Sequence, residues 1–290
     1  MNNNYIEFKK KRELGDILTD TFAFLRNNGK TLLSVLMKTS GIPFVLLILA
    51  SAFYTHISTS FLDPVRLSNN EVTNMGMFAI ALFTMFTTLL IFYGLLCGTV
   101  LHFIKAYIDN KGRVDVNTVT QGVKQDFGKI IGLGFLSGLI TGVGFLLCFI
   151  PGIYLYVPMS LVFSILVFRK TSISDAINDS FLLIKNEWWI TFATLLVLGI
   201  LIGVISAVFS IPAIIYSFTK GLALASETSM NDASSSIDWV FILLNTISSA
   251  AKYLLYIITS VATAFIYYNL NERKHATGAL EQIDSLGKSE

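Results

Sequence analysis

Charge is the first thing this sequence lacks. Only 14% of its 290 residues are Asp, Glu, Lys or Arg, against about 25% in soluble globular domains. With 53% hydrophobic residues and a mean hydropathy of +0.66, that shortage argues against a large soluble core. Cysteine is scarce too. Cys97 and Cys148 both stand in apolar runs. Two are too few for a disulfide framework, so both read as small hydrophobes. Of the three histidines, His56, His102 and His275, none lies near a second His or Cys at ligand spacing, so no metal site is assigned. There is no phosphate-binding loop, no nucleophile elbow and no Ser-His-Asp set that assembles without guessing. The reading therefore contains no catalytic residue, no cofactor and no enzyme. A net charge of +2 gives no reason to expect nucleic acid. A secretory signal is also missing. The start, MNNNYIEFKKKREL, is polar and then basic, and the first apolar run begins near Thr31.

What is present is six apolar runs. Residues 14–27 form an amphipathic helix with Leu14, Ile17, Leu18, Thr21, Phe22 and Leu25 on one face. Spans are expected at 31–53, kinked by Gly41 and Pro43, and at 76–104, separated by a polar loop at 54–74. A basic connector, 105–126, has helical spacing in its later part. The third span, 128–149, carries GxxxG pairs at Gly134, Gly138 and Gly142 that read as close packing within the bundle. Pro151-Gly152 reads as a tight turn, the fourth span as 153–168, and Arg169-Lys170 as its close. Ser172 then caps a second amphipathic helix, with Asp175 three residues on and Ile173, Ala176, Ile177, Ser180, Phe181 and Ile184 as the apolar face. The fifth span is expected at 188–209, with Pro212 bending its extension. A Ser-rich loop at 220–236 follows, then a sixth span at 252–268 with 237–251 as its extension, and a short helix at 278–286.

The fold expected is an all-α membrane protein of six transmembrane helices in three hairpins, each preceded by an amphipathic cytoplasmic-side helix. Residues 14–270 make a single membrane domain between tails at 1–13 and 271–290, both read as solvated and cytoplasmic. Of 21 Lys and Arg, all but Arg66, Lys220 and Lys252 fall on one proposed side. The positive-inside rule makes that side cytoplasmic. LGDILTDTFAFLRN, starting at Leu14, also matches ISDAINDSFLLIKN, starting at Ile173, at a constant offset of 159 residues. Asp16 pairs with Asp175, Asp20 with Asp179, Phe22 with Phe181 and Asn27 with Asn186. With a weaker match near Val116 the chain reads as three parallel repeats, about 14–107, 115–170 and 173–270.

PGIYLYVP from Pro151, ISDAINDSF and KNEWW between Ile173 and Trp189, and FIYYNLNERK from Phe265 resemble the YciC-like inner-membrane proteins of bacteria. They are also similar to the membrane domain joined to some glycerophosphodiester phosphodiesterases. The resemblance implies a six-helix fold in the bacterial cytoplasmic membrane. In the fused enzymes the phosphodiesterase chemistry belongs to a separate soluble barrel. The 290 residues hold no counterpart of it, so that activity is not expected here.

Polar residues inside apolar runs are the remaining candidates, because burying them is costly. Asp238, Asn245 and Lys252 recur every seven residues. Asn245 and Lys252, with His102 and Tyr93, are candidates for a cavity or polar groove, although Lys252 also reads as a snorkelling side chain at the outer interface. Asp16, Asp20, Asp175 and Asp179 are candidates for inner-face docking. Like charges at i, i+4 repel, so nearby Lys or Arg, or helix N-terminal amides, are the alternative partners. Trp188 and Trp189 read as an interfacial anchor. The function expected is a scaffold or accessory subunit of a membrane assembly, with a permease or lipid-handling protein as the alternative. Its partners are membrane lipids and other membrane or cytoplasmic proteins.

Overall fold

A computed structural model describes residues 5–61, 75–226, 239–278, 280 and 283. Among them the chain is all α: α1 (Leu14–Phe61), α2 (Met75–Asp109), α3 (Val116–Leu147), α4 (Phe149–Met159), α5 (Val162–Arg169), α6 (Ile173–Ile184), α7 (Trp188–Ser226) and α8 (Trp239–His275). Six segments are long and apolar enough to cross a membrane: α1, α2, α3, α4 with α5, α7 and α8. Large apolar side chains lie bare along them, Ile42 at 78%, Leu146 at 87% and Phe218 at 67% exposure. Water would penalise such a surface, whereas lipid solvates it while each helix satisfies its own backbone. This is the architecture of a multi-pass membrane protein.

The boundaries depart from the sequence expectation mainly by fusion. Residues 14–27 and the first span are one helix, since Asn-Gly-Lys at 28–30 does not stop it and the Asn28 amide simply bonds the Phe24 carbonyl at 3.2 Å. At 1.5 Å per residue α1 is about 72 Å long, against a hydrocarbon core of about 30 Å. Likewise α2 runs on to Asp109, taking in the start of the expected connector. Residues 116–127 and the third span fuse into α3, whose N-cap Asp115 accepts from the Asn117 and Thr118 amides at 3.2 Å. The fifth span continues through Pro212 to Ser226, and α8 takes in both the expected extension and the first residues of the C-terminal tail.

Pro151-Gly152 is not the turn. The chain turns at Cys148, which is extended (φ −171°, ψ 153°), and Pro151 sits in the first turn of α4. A missing N–H is no loss there. The fourth span is then interrupted at Ser160-Leu161, two residues after Pro158. Ser172 does cap α6, accepting from the Asp175 amide at 3.2 Å. Residues 62–74, the Ser-rich loop from 227 onward, Asp238 and most of the helix expected at 278–286 lie outside the described residues.

The chain forms two compact units. Unit 1 comprises Met1–Gly41, Tyr93–Gly199 and Tyr256–Glu290; unit 2 comprises Ile42–Phe92 and Ile200–Leu255. In unit 1, Phe8, Phe24, Phe103 and Phe265 are fully buried. Phe8 stacks on Phe265 at 4.2 Å, and its ring meets Phe24 edge-on at 5.4 Å. Gly94 and Gly98 of α2 let α3 approach closely. A Cβ at Gly94 would lie 2.9 Å from Ile131, and one at Gly98 would lie 2.6 Å from Ile130. This GxxxG, rather than Gly138 and Gly142, makes the close contact, because a Cβ at either of the latter would meet nothing within 4 Å. In unit 2, Leu47 and Ala81 are fully buried, Phe44 packs on Phe92 at 5.3 Å, and the Ser248 hydroxyl reaches the Phe209 carbonyl at 2.6 Å near Pro212.

The expected apolar faces hold except at the phenylalanines: Ile17, Thr21, Ala176, Ser180 and Ile184 are buried. Phe22 is 37% exposed whereas Phe24 is fully buried; Phe181 is 36% exposed whereas Leu183 is buried. The buried rows are Ile17, Thr21, Phe24 and Ala176, Ser180, Leu183, each at i, i+4, i+7. The buried hydroxyls of Thr21 and Ser180 bond back to the Ile17 and Ile177 carbonyls.

Candidate functional site

The polar chemistry of unit 1 gathers in two places, a charged brace and a cleft. The brace begins in residues 5–13, which are not a solvated tail. Tyr5 stacks on Tyr107 at 5.2 Å, the Ile6 amide donates to the Tyr107 hydroxyl at 2.9 Å, and Phe8 fills the aromatic core. Arg12 is 2% exposed. A buried guanidinium is tolerated only when its donors are used, and here they are. Nε donates to Asp20 Oδ2 at 2.8 Å, one terminal nitrogen to the Phe8 carbonyl at 2.8 Å, and the other to the Glu7 carbonyl. Its plane lies over the Phe265 ring, 4.7 Å from the centroid. Burial pulls the Arg12 guanidinium below its ordinary pKa, and Asp20 opposes the shift.

The far side of the brace is the end of α8. The Arg12 amide donates to Asn269 Oδ1 at 2.8 Å, and Arg273 donates to the Arg12 carbonyl at 3.3 Å and to Glu187 at 3.5 Å. Arg169 donates to Asp179 at 2.7 Å, to the Tyr267 hydroxyl at 3.2 Å and to Asn271 at 3.3 Å. Lys274 reaches the Leu182 carbonyl. Glu272, 3% exposed, accepts from the Gly278 amide at 2.9 Å and from the Thr277 hydroxyl. The segment read as FIYYNLNERK is thus the strut that ties the arm, α1 and α6 together.

All four aspartates proposed for docking are engaged inside the chain. Asp20 and Asp179 pair with Arg12 and Arg169. Asp16 accepts from the Glu13 amide at 3.2 Å, and Asp175 from the Ser172 hydroxyl at 2.6 Å. The alternative expected from sequence, nearby Arg as partner of the aspartates, thus holds for Asp20 and Asp179, although the sequence does not single out Arg12 and Arg169. A basic residue eight to ten positions before an Asp on the following helix was the signal available.

The cleft, about 370 Å³, lies between the end of α2 and the first half of α3. His102, Lys105, Asp109, Thr118, Gln121, Gln125, Asp126, Lys129 and Lys170 line it. Gly122 admits the His102 ring, because a Cβ there would stand 2.5 Å from Nδ1. His102 is nine-tenths buried, and its Nε2 lies 3.2 Å from Asp126 Oδ2 but out of line for a hydrogen bond.

Of the other cavity candidates, Tyr93 belongs to unit 1 and sits edge-on to Tyr256 at 5.2 Å and Phe163 at 5.9 Å. Asn245 and Lys252 belong to unit 2, the first half-buried and the second exposed. Trp188 stacks on Phe192 at 5.2 Å and donates to the Tyr154 carbonyl at 3.4 Å, while Trp189 is 76% exposed. No family model, curated protein or solved structure matches the chain.

Proposed function

We propose that this chain is a non-enzymatic integral membrane protein, a scaffold or accessory subunit of a membrane assembly. In this reading it lies in a bacterial inner membrane with both termini cytoplasmic, as the resemblance to YciC-like proteins and the basic bias suggest. The observation that carries the scaffold reading is the brace. The charged groups in it are used to hold elements of unit 1 together, as a platform requires and as a general acid or base does not. The repeat proposal gains support from the same place. Ile17, Thr21 and Phe24 are buried like Ala176, Ser180 and Leu183, at the same offset, and Asp20 and its counterpart Asp179 each meet an arginine. Photocrosslinking tests the scaffold role. Probes at the exposed positions Arg26 and Lys185 are expected to capture one discrete protein partner, and a probe at Val204 only lipid. Lipid at all three positions would refute it. Fluorescent tags at the two termini test the orientation, with a periplasmic signal from either end counting against it.

A second reading, a lipid-handling protein, is favoured by the polar cleft. It predicts that vesicles containing the protein alter lipid distribution between leaflets, which a scaffold leaves unchanged.

A further inference from the structure

We propose that the cleft between α2 and α3 binds the phosphate of a monoanionic phosphodiester, that of a membrane lipid headgroup. Three separate elements deliver its cations: Lys105 from α2, Lys129 from α3, and Lys170 from the turn after α5. Asp109 and Asp126 in the same lining offset part of their positive charge. Lys105 donates to the Val167 carbonyl at 2.9 Å, and among the described residues Lys129 and Lys170 make no hydrogen bond or ion pair. Three lysines against two aspartates leave the lining an excess of positive charge, which attracts an anion, and lysine is a point-charge binder of phosphate.

The lining also decides which anion. Asp109 and Asp126 stand among the lysines, so with His102 neutral the cleft carries a net charge of +1. That balances one negative charge, the charge of a phosphodiester, and leaves a dianionic monoester overcompensated. Thr118, Gln121 and Gln125 add hydroxyl and amide groups for the hydroxyls of a polyol headgroup. The His102 imidazole is buried at the cleft wall, with Nε2 3.2 Å from Asp126 Oδ2. The volume, about 370 Å³, falls at the small end of the range for small-ligand sites. The inference is independent of the scaffold reading, since a platform with a bound lipid and one without hold partners alike.

The test is equilibrium binding to the full chain in a non-ionic detergent, read by native mass spectrometry. Three probes are used: short-chain phosphatidylglycerol, the matched diacylglycerol without phosphate, and soluble glycerophosphoglycerol. The lipid diester is expected to bind, and the diacylglycerol is not. Lys129→Gln with Lys170→Gln is expected to weaken binding about tenfold or more, since each charged hydrogen bond is worth roughly that factor. Lys124→Gln, exposed on the same helix but outside the lining, is expected to change nothing. Either single Lys→Gln variant serves if the double variant melts early. Competition by glycerophosphoglycerol assigns the site to the phosphodiester itself. Its failure to compete assigns the site to the intact lipid, and both outcomes uphold phosphate binding. Equal binding by wild type and both single variants, or equal binding of the diacylglycerol, overturns the proposal.

Discussion

Among the described residues, unit 1 encloses a buried arginine, a nearly buried glutamate and two further Arg–carboxylate pairs, whereas the contacts seen in unit 2 are mainly aromatic and aliphatic, with the Ser248–Phe209 bond. Yet both are built along the same long helices α1, α2, α7 and α8. Their difference follows from what each stretch can use as a driving force. In hydrocarbon, helices gain little from burying leucine, because lipid is as apolar as a neighbour, and they rely on packing and hydrogen bonds between helices. Where the chain leaves the apolar stretch, charge becomes affordable and geometry can be fixed by bidentate or multiply bonded guanidinium groups. Unit 1 has that option at the end of α8, and unit 2 shows little sign of it among the described residues.

That contrast can be broken from either side. The largest effect is expected from Arg12→Ala. It leaves Asp20 without its guanidinium and three backbone carbonyls without their donor, and breaking such a buried pair costs about 3–5 kcal/mol. Thermal unfolding in detergent micelles measures it. Next comes the reverse experiment, a charge placed where none is paired. Val204→Arg, 62% exposed on the apolar surface of unit 2, is expected to cost about 2.5–3.5 kcal/mol in a membrane-insertion assay. Removal of the Ser172 cap by Ser172→Ala is smaller, about 1 kcal/mol, and hydrogen exchange at the start of α6 reports it. The smallest effect concerns acid. The Thr118 hydroxyl, with the Asn117 and Thr118 amides, holds the Asp115 carboxyl below its ordinary pKa. A depressed folded-state value contributes stability above the ordinary carboxylate pKa, and that stability is lost as pH falls through the depressed one. The start of α3 is therefore expected to fray only under strong acid, and Asp115→Ala to remove that pH dependence.

The six apolar spans were legible because hydropathy over about 20 residues is a strong signal. Helix ends were not, because a polar stretch such as Asn-Gly-Lys at 28–30 does not stop a helix that tertiary packing extends. The amphipathic faces were legible except at one aromatic position in each helix, where Phe24 and Leu183 are buried and Phe22 and Phe181 are not. His102 was singled out among the polar residues of the apolar runs, and it lines the cleft. The lysines around it are drawn from distant stretches that only the fold brings together. The repeat alignment matched Asp20 to Asp179 but said nothing of Arg12 and Arg169, which lie at different spacings before those aspartates.

The account turns on Arg12 and Asp20 acting as one buried unit rather than as two independent polar residues. A double-mutant cycle with Arg12→Met, Asp20→Leu and both together, read as unfolding free energy in the same detergent, tests this directly. The brace predicts a coupling above about 1 kcal/mol, with the double variant recovering much of what each single variant loses. Additivity within about 0.3–0.5 kcal/mol would contradict it.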